Sequence, residues 1–294
     1  MPRIMAHARY RWPLTALAAW ICGCGGDGVP SDRADSTAAA ARPSATAAPP
    51  TADTAFPEGE VGRSIRRGRA LMLATRDSLP GHVGNELRCV SCHLDEGRRP
   101  EAIPWTGVYA RFPQYRSRND RVNLLEDRIN DCFERSLNGK GLPFDSPEMR
   151  DIVAYMAHLS RGAEVGTEGG GLRRLTPVSA DTTRGASVYA QHCVACHGDA
   201  GQGTAAAPPL WGPGSYNIGA GMARVRTAAS FIRHNMPFGD PRLTDAQAFD
   251  VAAYINSRPR PDMPGKERDW PNGDAPPDVA YPTAAAASPD TAAS

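Results

Sequence analysis

The chain has 294 residues, 41% of them hydrophobic and 7% aromatic, which suffices for two small cores with length left over. Its formal net charge is +1, so no global field argues for nucleic acid or an acidic membrane surface as a partner. All the basic residues but Lys140 and Lys266 are arginines; base composition alone can produce that, so the count carries no functional weight.

Residues 1–24 resemble a bacterial export signal. Arg3, Arg9 and Arg11 give a positive start, and Trp12–Ile21 is an apolar run too short to span a bilayer. The run ends in Cys22-Gly23-Cys24, which reads as a lipoprotein processing site with Cys24 acylated; ordinary cleavage nearby is the plainer alternative. The reading places the protein in the periplasm, with the membrane engaged only through that N-terminal lipid. Residues 25–56, rich in Ala, Pro, Ser, Thr and Gly, bury too little to offset their ordering entropy and read as a flexible tether. Residues 263–294 have the same character and are expected to form a disordered tail.

Two Cys-x-x-Cys-His motifs follow, Cys89–His93 and Cys193–His197, the signature of c-type haem attachment. Cys89 and Cys92, then Cys193 and Cys196, would each bond a porphyrin, and His93 and His197 would ligate iron. An exported chain agrees with covalent attachment, which is made outside the cytoplasm. The expected cofactors are therefore two covalently bound haem c groups. The motifs belong to an internal repeat. Arg67-Gly68 and Arg184-Gly185 each open a helical run, residues 104–109 (PWTGVY) parallel 210–216 (LWGPGSY), and 151–161 and 250–260 close each half with a similar helix. This is the layout of class I cytochromes c. The expected fold is all-α, with two such domains in tandem over residues 57–161 and 180–262. The Gly-rich segment 162–179 is the linker.

The second axial ligand decides what a haem does. In the second domain Met236, in a Met-Pro dipeptide 39 residues beyond His197, is the candidate, with His234 and Met222 as competitors. The same interval from His93 lands on Cys132, and no Met or His lies between. An isolated cysteine is usually a small buried hydrophobe; position and the exclusion of rivals favour iron ligation. Apolar residues recur at helical spacing from Val122 to Leu137, with Asn119 or Asp120 able to cap the start and Asn138-Gly139 the end. On one α-helix Arg128, Cys132 and Ser136 would share a face. Arg111, Arg116, Arg118, Arg121 and Arg135 are nearby in sequence. Cations beside a thiol favour its thiolate and bind small dianions through forked hydrogen bonds. The plainer reading pairs these arginines with Glu126, Asp127, Asp131 and Glu134, Asp131–Arg135 being a ready i,i+4 pair.

The segments 84–97, 104–118, 125–143, 208–222 and 231–239 together resemble the thiosulfate dehydrogenase family of dihaem cytochromes c, over most of both domains. The resemblance implies His93/Cys132 ligation at the first haem and His197/Met236 at the second. It implies a substrate site formed by Arg118, Arg128 and Ser136 beside a catalytic Cys132. It further implies oxidation of two thiosulfate to tetrathionate, reversible in some members, with electrons leaving through the second haem to a small periplasmic redox protein. Some members carry a lysine before the methionine that can exchange with it on iron; Asn235 stands here, so no such switch is expected. Two other readings compete: a non-enzymatic dihaem electron carrier, and a Sox-type cytochrome that conjugates thiosulfate to a carrier protein.

Overall fold

The computed structural model describes residues 55–166 and 171–283. The export signal with Cys24, nearly all of the tether and residues 284–294 lie outside the described residues. No described helix is long and apolar enough to cross a membrane.

Among the described residues six helices of at least seven residues carry the architecture: α1 Gly59–Leu73, α2 Leu125–Asp131, α3 Pro147–Leu159, α4 Thr182–His192, α5 Val225–Asn235 and α6 Asp245–Asn256. Their starts are written locally. Ser146 caps α3 by accepting from Met149 N (3.1 Å), with Pro147 in the first turn, where no donor is lost. Asp181 accepts from Thr183 and Arg184 at the start of α4, and Thr244 and Gln247 form a reciprocal capping box on α6.

The repeat in the sequence is a repeat in packing. In the first domain α1 packs on α3, and in the second α4 packs on α6. At each crossing the glycine of the Arg-Gly pair admits a backbone. A Cβ on Gly68 would lie 1.8 Å from the Asp151 carbonyl oxygen, and one on Gly185 would lie 2.1 Å from that of Asp250. The neighbouring arginine then reaches the buried carboxylate, Arg67 Nε to Asp151 (2.7 Å) and Arg184 Nε to Asp250 (2.7 Å). Behind each motif a left-handed glycine, Gly97 or Gly201, lies under the indole of Trp105 or Trp211 where no Cβ would fit. The indoles meet Tyr155 and Tyr254 edge-on.

Three features differ from expectation. Residues 114–123 form a small antiparallel hairpin, β1 Gln114–Arg116 with β2 Arg121–Asn123, on an otherwise helical fold. Asn119 and Asp120 therefore serve its turn, Asp120 at φ +51°, and do not cap α2. That helix begins at Leu125, where the Asp127 carboxylate accepts from Leu124 N (2.8 Å). It also changes form: Cys132–Ser136 is a π turn, with Leu137 N donating to Cys132 O (2.9 Å). Finally, residues 263–283, expected in the disordered tail, are packed against the domains. Met263, Trp270 and Tyr281 are buried, Asp269 pairs with Arg135, and Asp278 pairs with Arg224 (2.7 Å). Buried aromatics and paired charges supply what low-complexity composition alone lacks.

The domains are joined through a loop of the second. Asn85 donates to Ser136 O (2.8 Å) and Ser215 O (3.0 Å), and Asn217 donates to Glu134 O (2.8 Å). Tyr216, Ala220 and Ala223 enter the first core.

Candidate haem sites and the Cys132 pocket

Each attachment histidine is oriented by the carbonyl it faces. His93 Nδ1 lies 2.6 Å from Ile103 O, and His197 Nδ1 lies 2.8 Å from Pro208 O. A carbonyl only accepts, so Nδ1 carries the proton and Nε2 keeps its lone pair for a metal. Burial pushes His93 down to about 4 and lowers His197 as well, which keeps both imidazoles neutral near pH 7.

The second site is a cavity of about 970 Å³ walled by Cys193, Cys196, His197, Leu210, Ile232 and Met236. Volume and apolar walls suit a porphyrin. Met222 also lines it, whereas His234 turns its Nδ1 toward Arg173 (3.2 Å) and lies outside the lining. Met222 and Met236 are thus the candidate thioether ligands that line the cavity, and Met236 ends α5 at its C-cap. Its neighbour Asn235 is buried and donates to Glu101 O (2.8 Å) and Phe231 O (3.0 Å), a tie between domains. The cavity extends to Cys92, Leu94 and Tyr216, so the space of the second site borders the first.

At the first site Thr75 Oγ1 donates to Cys89 Sγ (3.3 Å), and Phe133, Leu137, Trp105 and Tyr155 pack around the motif. Burial pushes the thiols of Cys89 and Cys92 up, and a charge on Cys132 adds to both shifts. Cys132 and the attachment motif are thus within electrostatic reach of one another. A thiol donor set with one oriented imidazole and apolar walls fits a haem with a sulfur sixth ligand.

Arg128 Nη1 lies 2.9 Å from Cys132 Sγ. The helix spacing made this neighbour pair, since i and i+4 stack on one face. A negative Cys132 sulfur is the main cause that raises Arg128, against the cost of burial. Further cations gather around it. Arg111 and Arg116 are both lowered, first by burial and next by repulsion from Arg128. Among the described residues no carboxylate is in ion-pair contact with Arg111, Arg116 or Arg128, though Asp131 acts on Arg116 and Arg128 from further off; the Arg116 side chain hydrogen-bonds Gln114 (3.2 Å), and Arg111 Nε is buried without a hydrogen-bond partner. Like charges held together away from water are a standing site for a small anion.

Arg118 lies beside Arg135, Asp131 and Asp269. It donates to Gly219 O (2.7 Å), stacks 4.6 Å above the Trp270 ring, and is pushed down to about 10, chiefly by burial. Ser136 closes the π turn, with its carbonyl bound by Asn85. The plainer reading holds for Arg135 and Arg121, which form ion pairs with Asp269 and Asp127; Arg135 also meets Asp131 at 3.6 Å. Asp269, Trp270 and Tyr281 escaped the sequence reading. The charged run Lys266–Asp269 before a tryptophan was the one signal that this stretch differs from a polar tail.

The family described as SoxA/TsdA, cytochrome c domain, matches residues 82–165, and the family described as cytochrome C oxidase, cbb3-type, subunit III, matches 180–255. A thiosulfate dehydrogenase of Psychrobacter arcticus is 43% identical over 237 residues, 77% of this chain and 72% of that protein. One of Allochromatium vinosum is 47% identical over 220 residues, 70% of this chain and 82% of that protein. The solved structure of the thiosulfate dehydrogenase TsdBA from Marichromatium purpuratum, in its as-isolated form, matches with a TM-score of 0.70 and 42% identity. The match covers 74% of this chain and half of that one.

Proposed function

The chain belongs to the thiosulfate dehydrogenase family and carries two covalent haem c groups in tandem cytochrome c domains. From that premise we propose that it oxidises two thiosulfate ions to tetrathionate, and that it also runs the reverse reaction. The observation that carries this reading is the 2.9 Å contact of Arg128 with Cys132 Sγ, with Arg111 and Arg116 close enough to repel Arg128.

Cys89, Cys92, His93 and Cys132 would hold the first haem, and Cys193, Cys196, His197 and Met236 the second. When bound, the haems supply the one-electron acceptors for the two electrons released, which a small redox protein outside the cytoplasm then removes. The chain's own residues do the rest. Arg118 and Arg128 hold the sulfonate end of thiosulfate, and the Ser136 hydroxyl adds a hydrogen bond. This turns the sulfane sulfur toward Cys132. The Cys132 thiolate and the sulfane sulfur form an S–S bond with loss of two electrons, leaving a cysteine S-thiosulfonate. The sulfane sulfur of a second thiosulfate attacks that of the adduct. The bond to Cys132 breaks, tetrathionate departs, and the thiolate returns without proton transfer. Arg128 stabilises the thiolate at both ends of the cycle, and the other arginines offset repulsion between two incoming dianions. The lipid anchor at Cys24 is part of this reading, as is export to the periplasm.

The test is steady-state turnover of the purified dihaem protein in both directions, with an artificial electron acceptor and then a donor. Thiosulfate-dependent acceptor reduction and tetrathionate-dependent donor oxidation are expected. Inactivity in both would leave an electron carrier as the better account.

A further inference from the structure

Beyond both family matches, which end at residues 165 and 255, the chain runs on as an ordered strap. We propose that this strap, Met263–Tyr281, is part of the substrate site, with Trp270 as the residue that positions Arg118 for the substrate anion and Asp269 as the anchor that holds the strap in place. The inference rests on the role given to Arg118 above.

Arg118 follows β1 in a short turn, so no regular element fixes it. The strap holds it at three points. Trp270 N donates to Arg118 O (2.8 Å), the indole lies 4.6 Å beneath the guanidinium, and Asp269 stands 3.9 Å from Nη1. Left to itself, that carboxylate would neutralise Arg118 and compete with an anionic substrate. It is already engaged: Arg135 binds both its oxygens at 2.8 Å, and the Tyr281 hydroxyl donates to it at 2.6 Å. Asp269 thus serves as an anchor for the strap and acts only weakly on Arg118. The indole does the positioning. A ring face attracts a guanidinium through its quadrupole and brings no counter-charge, so Arg118 is oriented while its full charge stays available. Trp270 itself adopts φ +53°, a left-handed conformation that bulky residues avoid. It persists because the bonds from Trp270 N to Arg118 O and from Gly273 N to Trp270 O hold that backbone on both sides.

The test uses the dihaem protein with Trp270→Ala, Trp270→Phe and Arg118→Gln, alone and combined. Trp270→Ala is expected to raise KM for thiosulfate about tenfold, with kcat within about twofold and haem content unchanged. Trp270→Phe keeps a ring face and recovers most of the loss. In the Arg118→Gln background Trp270→Ala adds nothing, because the residue it positions is gone. An unchanged KM, full additivity with Arg118→Gln, or a fall in kcat that tracks lost haem would overturn the inference. If Trp270→Ala fails to accumulate as holoprotein, Tyr281→Phe is read in its place: it loosens Asp269 and should raise KM about threefold, and an unchanged KM again overturns the inference. A wild-type protein inactive on thiosulfate would instead overturn the reading of the site itself, and this inference with it.

Discussion

The two domains are one scaffold used twice, and they differ where the chemistry is. Gly68 and Gly185 admit the same helix crossing, Arg67–Asp151 and Arg184–Asp250 lock it, and Trp105 and Trp211 cover the same glycine turn. Both attachment histidines donate Nδ1–H to a loop carbonyl. At the position 39 residues further on, the domains part. The second places Met236 at a helix end among Phe231, Ile232 and Met222, beside an Asn235 used up in holding the domains together. The first places Cys132 in a π turn, under Arg128 and near Arg111 and Arg116, which among the described residues make no ion-pair contact with a carboxylate. A π turn costs hydrogen-bond geometry and is often kept at functional sites. The fold thus supplies two equivalent sockets, and on the proposed function the side chains at one position suit one socket to passing electrons and the other to anionic sulfur chemistry.

The largest effect should come from erasing that difference. Cys132→Met gives the first domain the sulfur ligand of the second without its nucleophile. We expect both haems to be retained and thiosulfate turnover to fall by about 10³-fold or more, read as acceptor reduction at saturating substrate. Retained turnover would show that Cys132 only tunes the iron.

The shared scaffold is challenged by Gly68→Ala and Gly185→Ala. Each added methyl meets a backbone carbonyl at 1.8 or 2.1 Å, so the helices must separate. Each should destabilise its own domain by about 1–3 kcal/mol, measured by thermal unfolding, and by similar amounts. A large effect in one domain only would mean that the crossings are not equivalent.

The smallest effect concerns acid. Glu96, a residue of the first domain alone, is held down to about 2, first by its bond to Arg69 and then by Arg98. Its folded value lies below the ordinary carboxylate range, so its contribution is complete above about pH 4.5 and is lost as pH falls toward 2. Glu96→Gln should lower the midpoint of thermal unfolding by about 2–4 °C at pH 6, and by less at pH 3. Equal losses at both pH values would contradict the assigned cause.

Much of this was legible in the sequence. The tandem motifs and the Arg-Gly, Trp and closing-helix repeats are local patterns, and each maps onto a contact that needs that residue type. Cys132 was singled out through an interval, which the second domain calibrated. The hairpin at 114–123 was misread because Asn119 and Asp120 suit a turn as well as a helix cap, and only pairing across the strands decides between them. The π turn was hidden because it keeps the apolar spacing of the α-helix it extends. The strap was hidden for a deeper reason. Asp269 and Trp270 are buried by Arg135 and Arg118, more than a hundred residues away, and such partners leave no periodic mark in a Pro- and Gly-rich stretch.

The central claim is that Cys132 is both the sixth ligand of the first haem and the seat of sulfur chemistry. It is tested most directly by the absorption spectrum of the oxidised wild-type protein, recorded before and after addition of thiosulfate without any other reductant. The account predicts a thiolate–iron charge-transfer band beforehand and haem reduction afterwards. A spectrum lacking that band, in a protein that thiosulfate leaves oxidised, would contradict it.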